Sequence, residues 1–411
     1  MRHLSVLVLA LILGPGLDRP TVSRAALGQK LPACPRWESQ LQRLEQSGED
    51  PTSPRLRVLR NRIADGCIAL NEIQVLGTHN SYHVQPRPAL LAALLDITSA
   101  FNAWEYTHPP LGEQFSLEGI RQVELDVWAD PHGGLFARRG GLALIGEDPN
   151  SGIPELQQPG FKVLHIQDLD FETTCLTFTG CLRDIKAWSD AHRGHLPIMV
   201  LVEAKDDALP PSLGFAVPVP IGAPELDALD AEIRSVFPRH RLITPDGVRR
   251  GRTTLEEAVL TLGWPRLGLA RGKVLFTFDN GGDKRDAYLA GHPSLAGRIL
   301  FTDSNPGESS AAFVKANDPF TTSPSIAELV AAGYLVRTRA DADTVEARSG
   351  DTAPRDAALA SGAQFVSTDY PVENPAFGTG YVVRIPGGMP ARCNPVNAPA
   401  SCREAGLERL R

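Results

Sequence analysis

The sequence predicts an α/β protein built as a TIM-type (β/α)8 barrel, with an N-terminal helical hairpin and long loops at the C-terminal face. Three observations predict it. Eight short apolar runs recur along the chain: Ile73–Gly77, Val123–Asp126, Lys162–His165, Ile198–Glu203, Val274–Phe278, Ile299–Thr302, Tyr334–Thr338 and Phe365–Thr368. Helix-compatible stretches separate several of them, among them Leu90–Trp104, Leu182–His192, Glu225–Val236, Thr254–Leu262 and Ser325–Ala332. The runs are nearly continuous in Val, Ile and Leu, which is the pattern of parallel strands covered on both faces. That many parallel strands suggest a closed barrel, with a doubly wound open sheet as the competing architecture.

Taken in order, the chain opens with Arg2 and His3, the apolar run Leu4–Leu13, and Gly14-Pro15. Ser23-Arg24-Ala25 then places small residues at the positions a signal peptidase reads, so residues 1–25 are expected to be a secretory signal peptide. A retained N-terminal anchor is the alternative, although the run is short for a membrane span. The protein is therefore expected outside the cytoplasm, extracellular or periplasmic, with no transmembrane segment in the mature chain.

Residues 26–70 are expected to form a helical hairpin. Trp37, Leu41 and Leu44, then Leu56, Leu59 and Ile63, sit at helical spacing, and the Ser47–Pro54 stretch turns between them. Residues 71–411 form the barrel and a Pro- and Gly-rich tail. A length of 411 residues would allow more than one domain, but such barrels run from about 200 to over 400 residues as one unit. Two connections are long, 129–161 and 206–270, and long loops at that face usually shape the substrate site. The loop around Leu135-Phe136 and Arg138-Arg139 is a candidate membrane contact.

Composition narrows the partners. The chain carries 48 acidic against 41 basic side chains, a net charge of −7. Residues 1–25 hold Arg2, Arg19 and Arg24 against Asp18, so the remainder is more acidic still. Non-specific nucleic-acid binding runs on Lys and Arg contacts to phosphates, and no nucleic-acid partner is expected. Six cysteines, an even number, suggest disulfides in an exported chain. Proximity favours Cys175–Cys181 and Cys393–Cys402 and leaves Cys34–Cys67 over, with other pairings open.

Chemistry collects where the apolar runs end. In Glu124-Leu125-Asp126, residues two apart on a strand point the same way, so both carboxylates face one side. Glu203 closes the run IMVLVEAK, and Asn80 follows the first run with a neutral oxygen. Buried carboxylates carry a cost of several kcal/mol unless a cation neutralises them. Asn80, Glu124, Asp126 and Glu203 therefore read as an all-oxygen metal site, suited to Ca²⁺ first and Mg²⁺ second. No Cys or His set has zinc spacing. His79 and His165 flank this cluster and fit general acid–base work, since imidazole donates and accepts near neutral pH. Lys205, and Arg337 or Arg339, are the candidate cations for an anionic substrate. A divalent metal with two such histidines is sufficient to cleave a phosphodiester.

In order, THNSY, ELDVW, a histidine at a strand end and VLVEAK resemble the catalytic half of phosphoinositide-specific phospholipase C barrels. The likeness is greatest to the secreted, Ca²⁺-dependent bacterial type found in streptomycetes. LVRTRADADT and ASGAQFVSTDYP resemble the last two strands of that group and also those of glycerophosphodiester phosphodiesterases. The resemblance implies attack of an inositol hydroxyl on phosphorus, giving diacylglycerol and a cyclic inositol phosphate. It implies Ca²⁺ on Asn80, Glu124, Asp126 and Glu203. It makes His79 the base or phosphate stabiliser and His165 the acid. A monomer working peripherally on phospholipid at a membrane surface is expected. The alternatives are a glycerophosphodiesterase-like hydrolase and a non-catalytic barrel that binds Ca²⁺ or head groups.

Overall fold

The computed structural model describes residues 33–210 and 214–410. The expected signal peptide lies outside the described residues. Two helices come first, α1 (Cys34–Gln46) and α2 (Pro54–Cys67). Each carries proline in its first turn, where no intrahelical N–H is needed. The Ser53 hydroxyl caps α2 by accepting from the Leu56 N–H at 3.2 Å. Leu41 and Leu44 of α1 and Leu56, Leu59 and Ile63 of α2 are buried in one core. The Cys34–Cys67 disulfide clips the pair at a Cα separation of 5.8 Å. The hairpin lies against the N-terminal end of the barrel: Leu70 N–H reaches Pro265 O at 3.0 Å, and Arg271 Nε reaches Asp65 at 2.7 Å.

Eleven strands follow: β1 (Ile73–Thr78), β2 (Gln122–Trp128), β3 (Lys162–Val163), β4 (Ile198–Lys205), β5 (Leu242–Ile243), β6 (Val274–Phe278), β7 (Leu300–Thr302), β8 (Phe313–Lys315), β9 (Leu335–Arg339), β10 (Phe365–Thr368) and β11 (Ala391–Cys393). Eight of them make a parallel ring in the order β8-β9-β10-β1-β2-β4-β6-β7. A parallel bridge from Asp303 to Phe313 joins its ends. The (β/α)8 expectation is therefore met. β5 extends the start of β6, and β11 runs antiparallel along the start of β1.

Two strands differ from the sequence reading. Lys162–His165 is not a ring strand. Only Lys162 and Val163 pair, antiparallel, with Trp128 and Val127 of β2. The eighth ring strand is instead β8, three residues after Ala311-Ala312, too short and too polar at Lys315 to register as an apolar run. The expected helix Leu90–Trp104 is a helix over Pro88–Leu95 and a separate tight turn over Ser99–Trp104.

The seam between β1 and β2 positions the site. β4 takes one edge of β2 along its whole length. The other edge takes β1 only at Gln122, through Gly77. Above that point the strands part. Ser81 fills the gap by donating its N–H to Glu124 O at 3.0 Å and accepting from Glu124 N–H at 2.8 Å, and β3 takes the rest. The loops above are tied by Asp168, whose two carboxylate oxygens accept from Gly140 N–H at 2.6 Å and Ala216 N–H at 2.7 Å. Leu90, Leu94, Leu142 and Phe171 make a small core of their own beneath those loops.

Candidate active site

The carboxylates come from two neighbouring strands. Glu124 and Asp126 share a face of β2, and Asp126 lies in register with Glu203 of β4. One carboxylate oxygen from each falls within 4.8 Å of the others. Burial pushes Glu124 up to about 8 and Glu203 up to about 7, and the neighbouring carboxylates add to both shifts. Their protein partners are few. Arg337 donates to Glu124 Oε2 at 2.7 Å. Lys205 Nζ sits 2.7 Å from Asp126 Oδ2 and 3.7 Å from Glu203 Oε2.

Asn80 has a left-handed backbone, φ 43°, which asparagine tolerates better than most residues. Its amide Nδ2 donates to the Tyr106 hydroxyl at 3.0 Å, so the amide orientation is set. Asn80 Oδ1 is then buried with no donor, and Asp126 Oδ1 is in the same state. Buried orphan acceptors beside a carboxylate cluster are what a hard cation satisfies. The donor set is all oxygen and fits Ca²⁺.

The two histidines are each anchored through Nδ1. His79 Nδ1 donates to Asp369 Oδ1 at 2.8 Å. Its Nε2 lies 3.4 Å from Arg339 Nη1 and 3.7 Å from Glu124 Oε1. Burial, helped by the Arg339 charge and opposed by Asp369, pulls His79 down to about 3. Burial alone would raise Asp369, but His79 and Arg339 outweigh it and hold that carboxyl at about 2. His79 is thus a neutral ring, protonated at Nδ1, whose Nε2 accepts from Arg339 Nη1. His165 follows β3 and donates Nδ1–H to Asp170 Oδ2 at 2.7 Å. Trp104 meets its ring edge-on at 5.8 Å.

The rings His79, Tyr106, His83 and His165 neighbour one another in succession, with centroids 6.3, 4.2 and 5.7 Å apart. The sequence reading thus has all its site residues near one mouth of the barrel, with particular partners. Lys205 and Arg337 face carboxylates in the structure, and Arg337 also donates to Asn317. Arg339 reaches the mouth as well, donating to Asp369 Oδ2 at 3.3 Å.

Sequence reasoning missed Asp369, Asp170, Tyr106 and Asp279. Asp369 stands at the end of a strand run, in VSTDYP, and Asp170 five residues after His165, so both carried a readable signal. Asp279, paired with Lys315 Nζ at 2.7 Å, ends β6 in the same way. Tyr106 carried none, because its place depends on the loop's path. His195, away from this site, is fully buried with Nε2 2.6 Å from the Ser189 hydroxyl.

The family model for Ca²⁺-dependent phosphoinositide phospholipase C matches residues 68–395, well over half of the chain. The chain belongs to that family. It is accordingly an enzyme, a phosphoric diester hydrolase, and its cofactor is Ca²⁺. Among solved structures it is similar to the Ca²⁺-dependent phosphatidylinositol-specific phospholipase C of Streptomyces antibioticus, at 20% identity and TM-score 0.47, covering 76% of this chain and 97% of that one. It is also similar to the calcium-dependent phosphoinositol-specific phospholipase C of a Pseudomonas species, at 17% identity and TM-score 0.46, covering 80% and 96%. A third likeness, to the phosphatidylinositol-specific phospholipase C of Listeria monocytogenes, stands at 11% identity and TM-score 0.40, covering 75% and 91%. No curated protein sequence matches.

Proposed function

We propose that this phospholipase C is exported and cleaves phosphatidylinositol to diacylglycerol and a cyclic inositol phosphate. The observation that carries the reading is the pair of imidazoles, each held at Nδ1 by a buried aspartate, with His79 Nε2 3.7 Å from Glu124 of the carboxylate cluster. An inositol hydroxyl attacks phosphorus, and the bond from phosphorus to the glycerol oxygen breaks. His79 takes the hydroxyl proton at Nε2, and the imidazolium so formed is stabilised by Asp369. His165, backed by Asp170 at Nδ1, gives a proton from Nε2 to the leaving alkoxide. Bound among Asn80, Glu124, Asp126 and Glu203, Ca²⁺ supplies charge neutralisation for the phosphate and acidifies the attacking hydroxyl. Lys205 lends a cation to the phosphate side of the cluster. Arg337, almost wholly buried, acts there through Glu124, whose charge it supports. Arg339 is placed to meet a phosphate oxygen beside His79 Nε2.

Export is supported by the three disulfides, Cys34–Cys67, Cys175–Cys181 and Cys393–Cys402. Among the described residues no helix is long and apolar enough to cross a membrane. Work at a lipid surface is supported by exposed apolar side chains on connections leaving the C-terminal ends of ring strands: Ile97, Leu144, Val217, Phe320, Val345 and Val372. The loop around Leu135-Phe136 fits that role less well, since Phe136 is buried and Arg139 packs over the Phe171 ring. The enzyme acts as a monomer docked peripherally.

Phosphorus NMR on the purified protein with phosphatidylinositol micelles tests the reading. A cyclic inositol phosphate signal that appears with Ca²⁺ and stops on chelation is expected. Release of glycerol phosphate from glycerophosphodiesters, with phosphatidylinositol untouched, would overturn it in favour of the glycerophosphodiesterase alternative.

A further inference from the structure

His165 is not backed by Asp170 alone. Asp170 Oδ2 accepts from His165 Nδ1 at 2.7 Å and from His83 Nε2 at 2.9 Å, and Asp170 Oδ1 lies 3.1 Å from the same His83 nitrogen. His83 and Asp170 are both fully buried, whereas the His165 side chain keeps 18% of its surface open. The other His83 nitrogen, Nδ1, faces the Tyr106 carbonyl at 3.0 Å. Both ring nitrogens of His83 thus face oxygen partners, which fixes the ring's orientation. Tyr106 stacks on it at 4.2 Å.

The backbone repeats this arrangement. Thr174 N–H donates to Tyr82 O at 2.8 Å, and Val84 N–H to Glu172 O at 3.3 Å, so the loop after β1 grips the segment that carries Asp170. Within that segment Ile166 and Asp170 exchange two backbone hydrogen bonds of 3.0 Å, closing a tight turn directly after His165.

We infer that His83 is a positioning residue for the leaving-group acid: through Asp170 it holds the His165 ring with Nδ1–H committed to Asp170 and Nε2 turned toward the scissile bond. The inference rests on the phospholipase C reading above, in which His165 protonates the departing oxygen. A side chain held through a fully buried carboxylate and a fixed second ring keeps its geometry without its own rotamer being packed. Among the described residues no protein donor or acceptor is recorded for His165 Nε2, which leaves that atom for the substrate.

Two substrates separate this role from a general packing role. Phosphatidylinositol leaves as an alkoxide and needs a proton. An aryl inositol phosphodiester leaves as a phenoxide and needs little help. His165→Ala should slow phosphatidylinositol by roughly two to four orders of magnitude, the scale of general acid–base removal, and the aryl ester far less. His83→Leu and Asp170→Asn should show the same selectivity at a smaller size, about ten- to hundredfold on phosphatidylinositol. His83→Gln retains one donor toward Asp170 and should recover part of the loss. Nitrogen-15 NMR of the His165 ring gives a readout independent of turnover. Once the ring is titrated to its neutral form, the Nδ1–H tautomer should dominate in the wild type and give way to a mixture in Asp170→Asn and His83→Leu.

Equal losses on both substrates in the His83 variants, with an unchanged His165 tautomer, would overturn the inference while leaving the phospholipase C reading intact. If His165→Ala itself shows no leaving-group selectivity, the assignment of the acid falls, and the role given to His83 falls with it.

Discussion

Asn80 and Asp126 illustrate what a single side chain contributes here. Both present a buried oxygen with no donor, a state that costs about 1–3 kcal/mol per group when nothing satisfies it. Asp126 also stands in register with Glu203, with Lys205 Nζ 2.7 Å from the first and 3.7 Å from the second as the protein's own cation beside the pair. Asp126→Asn keeps the shape and removes one charge. The Ca²⁺ concentration for half-maximal activity should rise by roughly tenfold or more, since even the outer partners of metal ligands are worth that much. The gain in Tm on adding Ca²⁺ should shrink in parallel, because stabilisation by a ligand follows its affinity. An unchanged titration in both measurements would remove Asp126 from the metal site. His79 works the opposite way. Its neutral ring, at about 3, is a product of burial and of Arg339, and neither was visible from its neighbours in sequence.

At the scale of elements, the parting of β1 from β2 creates the site. In register, the strands pair only at Gly77 and Gln122. A Cβ on Gly77 would fall 1.8 Å from Gln122 Oε1 and 2.8 Å from Gln122 Cβ, and Gln122 is fully buried. Glycine is therefore required by close approach, not by its backbone angles. Gly77→Ala should destabilise the fold by about 1–3 kcal/mol, the usual size of overpacking. Gln122→Ala on that background should return part of the loss, giving a favourable coupling in a urea-unfolding double-mutant cycle. Strict additivity would show that the two residues do not meet. Above the seam, β3 enters antiparallel and carries His165 in. From sequence, Val163-Leu164-His165 looked like any other ring strand, because an apolar run does not state which way its partner runs.

For the whole molecule, the distribution of exposed apolar groups bears on how the enzyme meets its substrate. Val217 is 66% exposed and Phe320 55%, and each lies beyond the C-terminal end of a ring strand, β4 and β8 respectively. Replacing both with serine should lower turnover of phosphatidylinositol in vesicles by roughly tenfold, since full burial of one such side chain is worth about 1.5–3 kcal/mol. Turnover of a short-chain substrate kept monomeric should change by less than about twofold on the same argument. Parallel loss on both would point to damage at the site, and no loss on vesicles would remove these residues from the membrane contact. The opposite end of the barrel is closed by α1, α2 and their disulfide, which leaves the mouth as the face proposed to meet lipid.

Much of this protein was written in one dimension. Apolar runs of strand length separated by helical spacing determined a parallel α/β barrel, because burial on both faces demands that pattern. Carboxylates two apart on β2 determined that Glu124 and Asp126 share a face, because a strand alternates sides whatever it pairs with. Pairing across the sheet was not so determined. Register alone set Asp126 beside Glu203, and the parting of β1 from β2 admitted β3 and with it His165. The partners of the two candidate rings, Asp369 some 290 residues from His79 and His83 meeting His165 across Asp170, exist only where loops converge. Hydrogen-bond geometry and burial belong to the folded surroundings, so the states of these histidines were decided by tertiary structure.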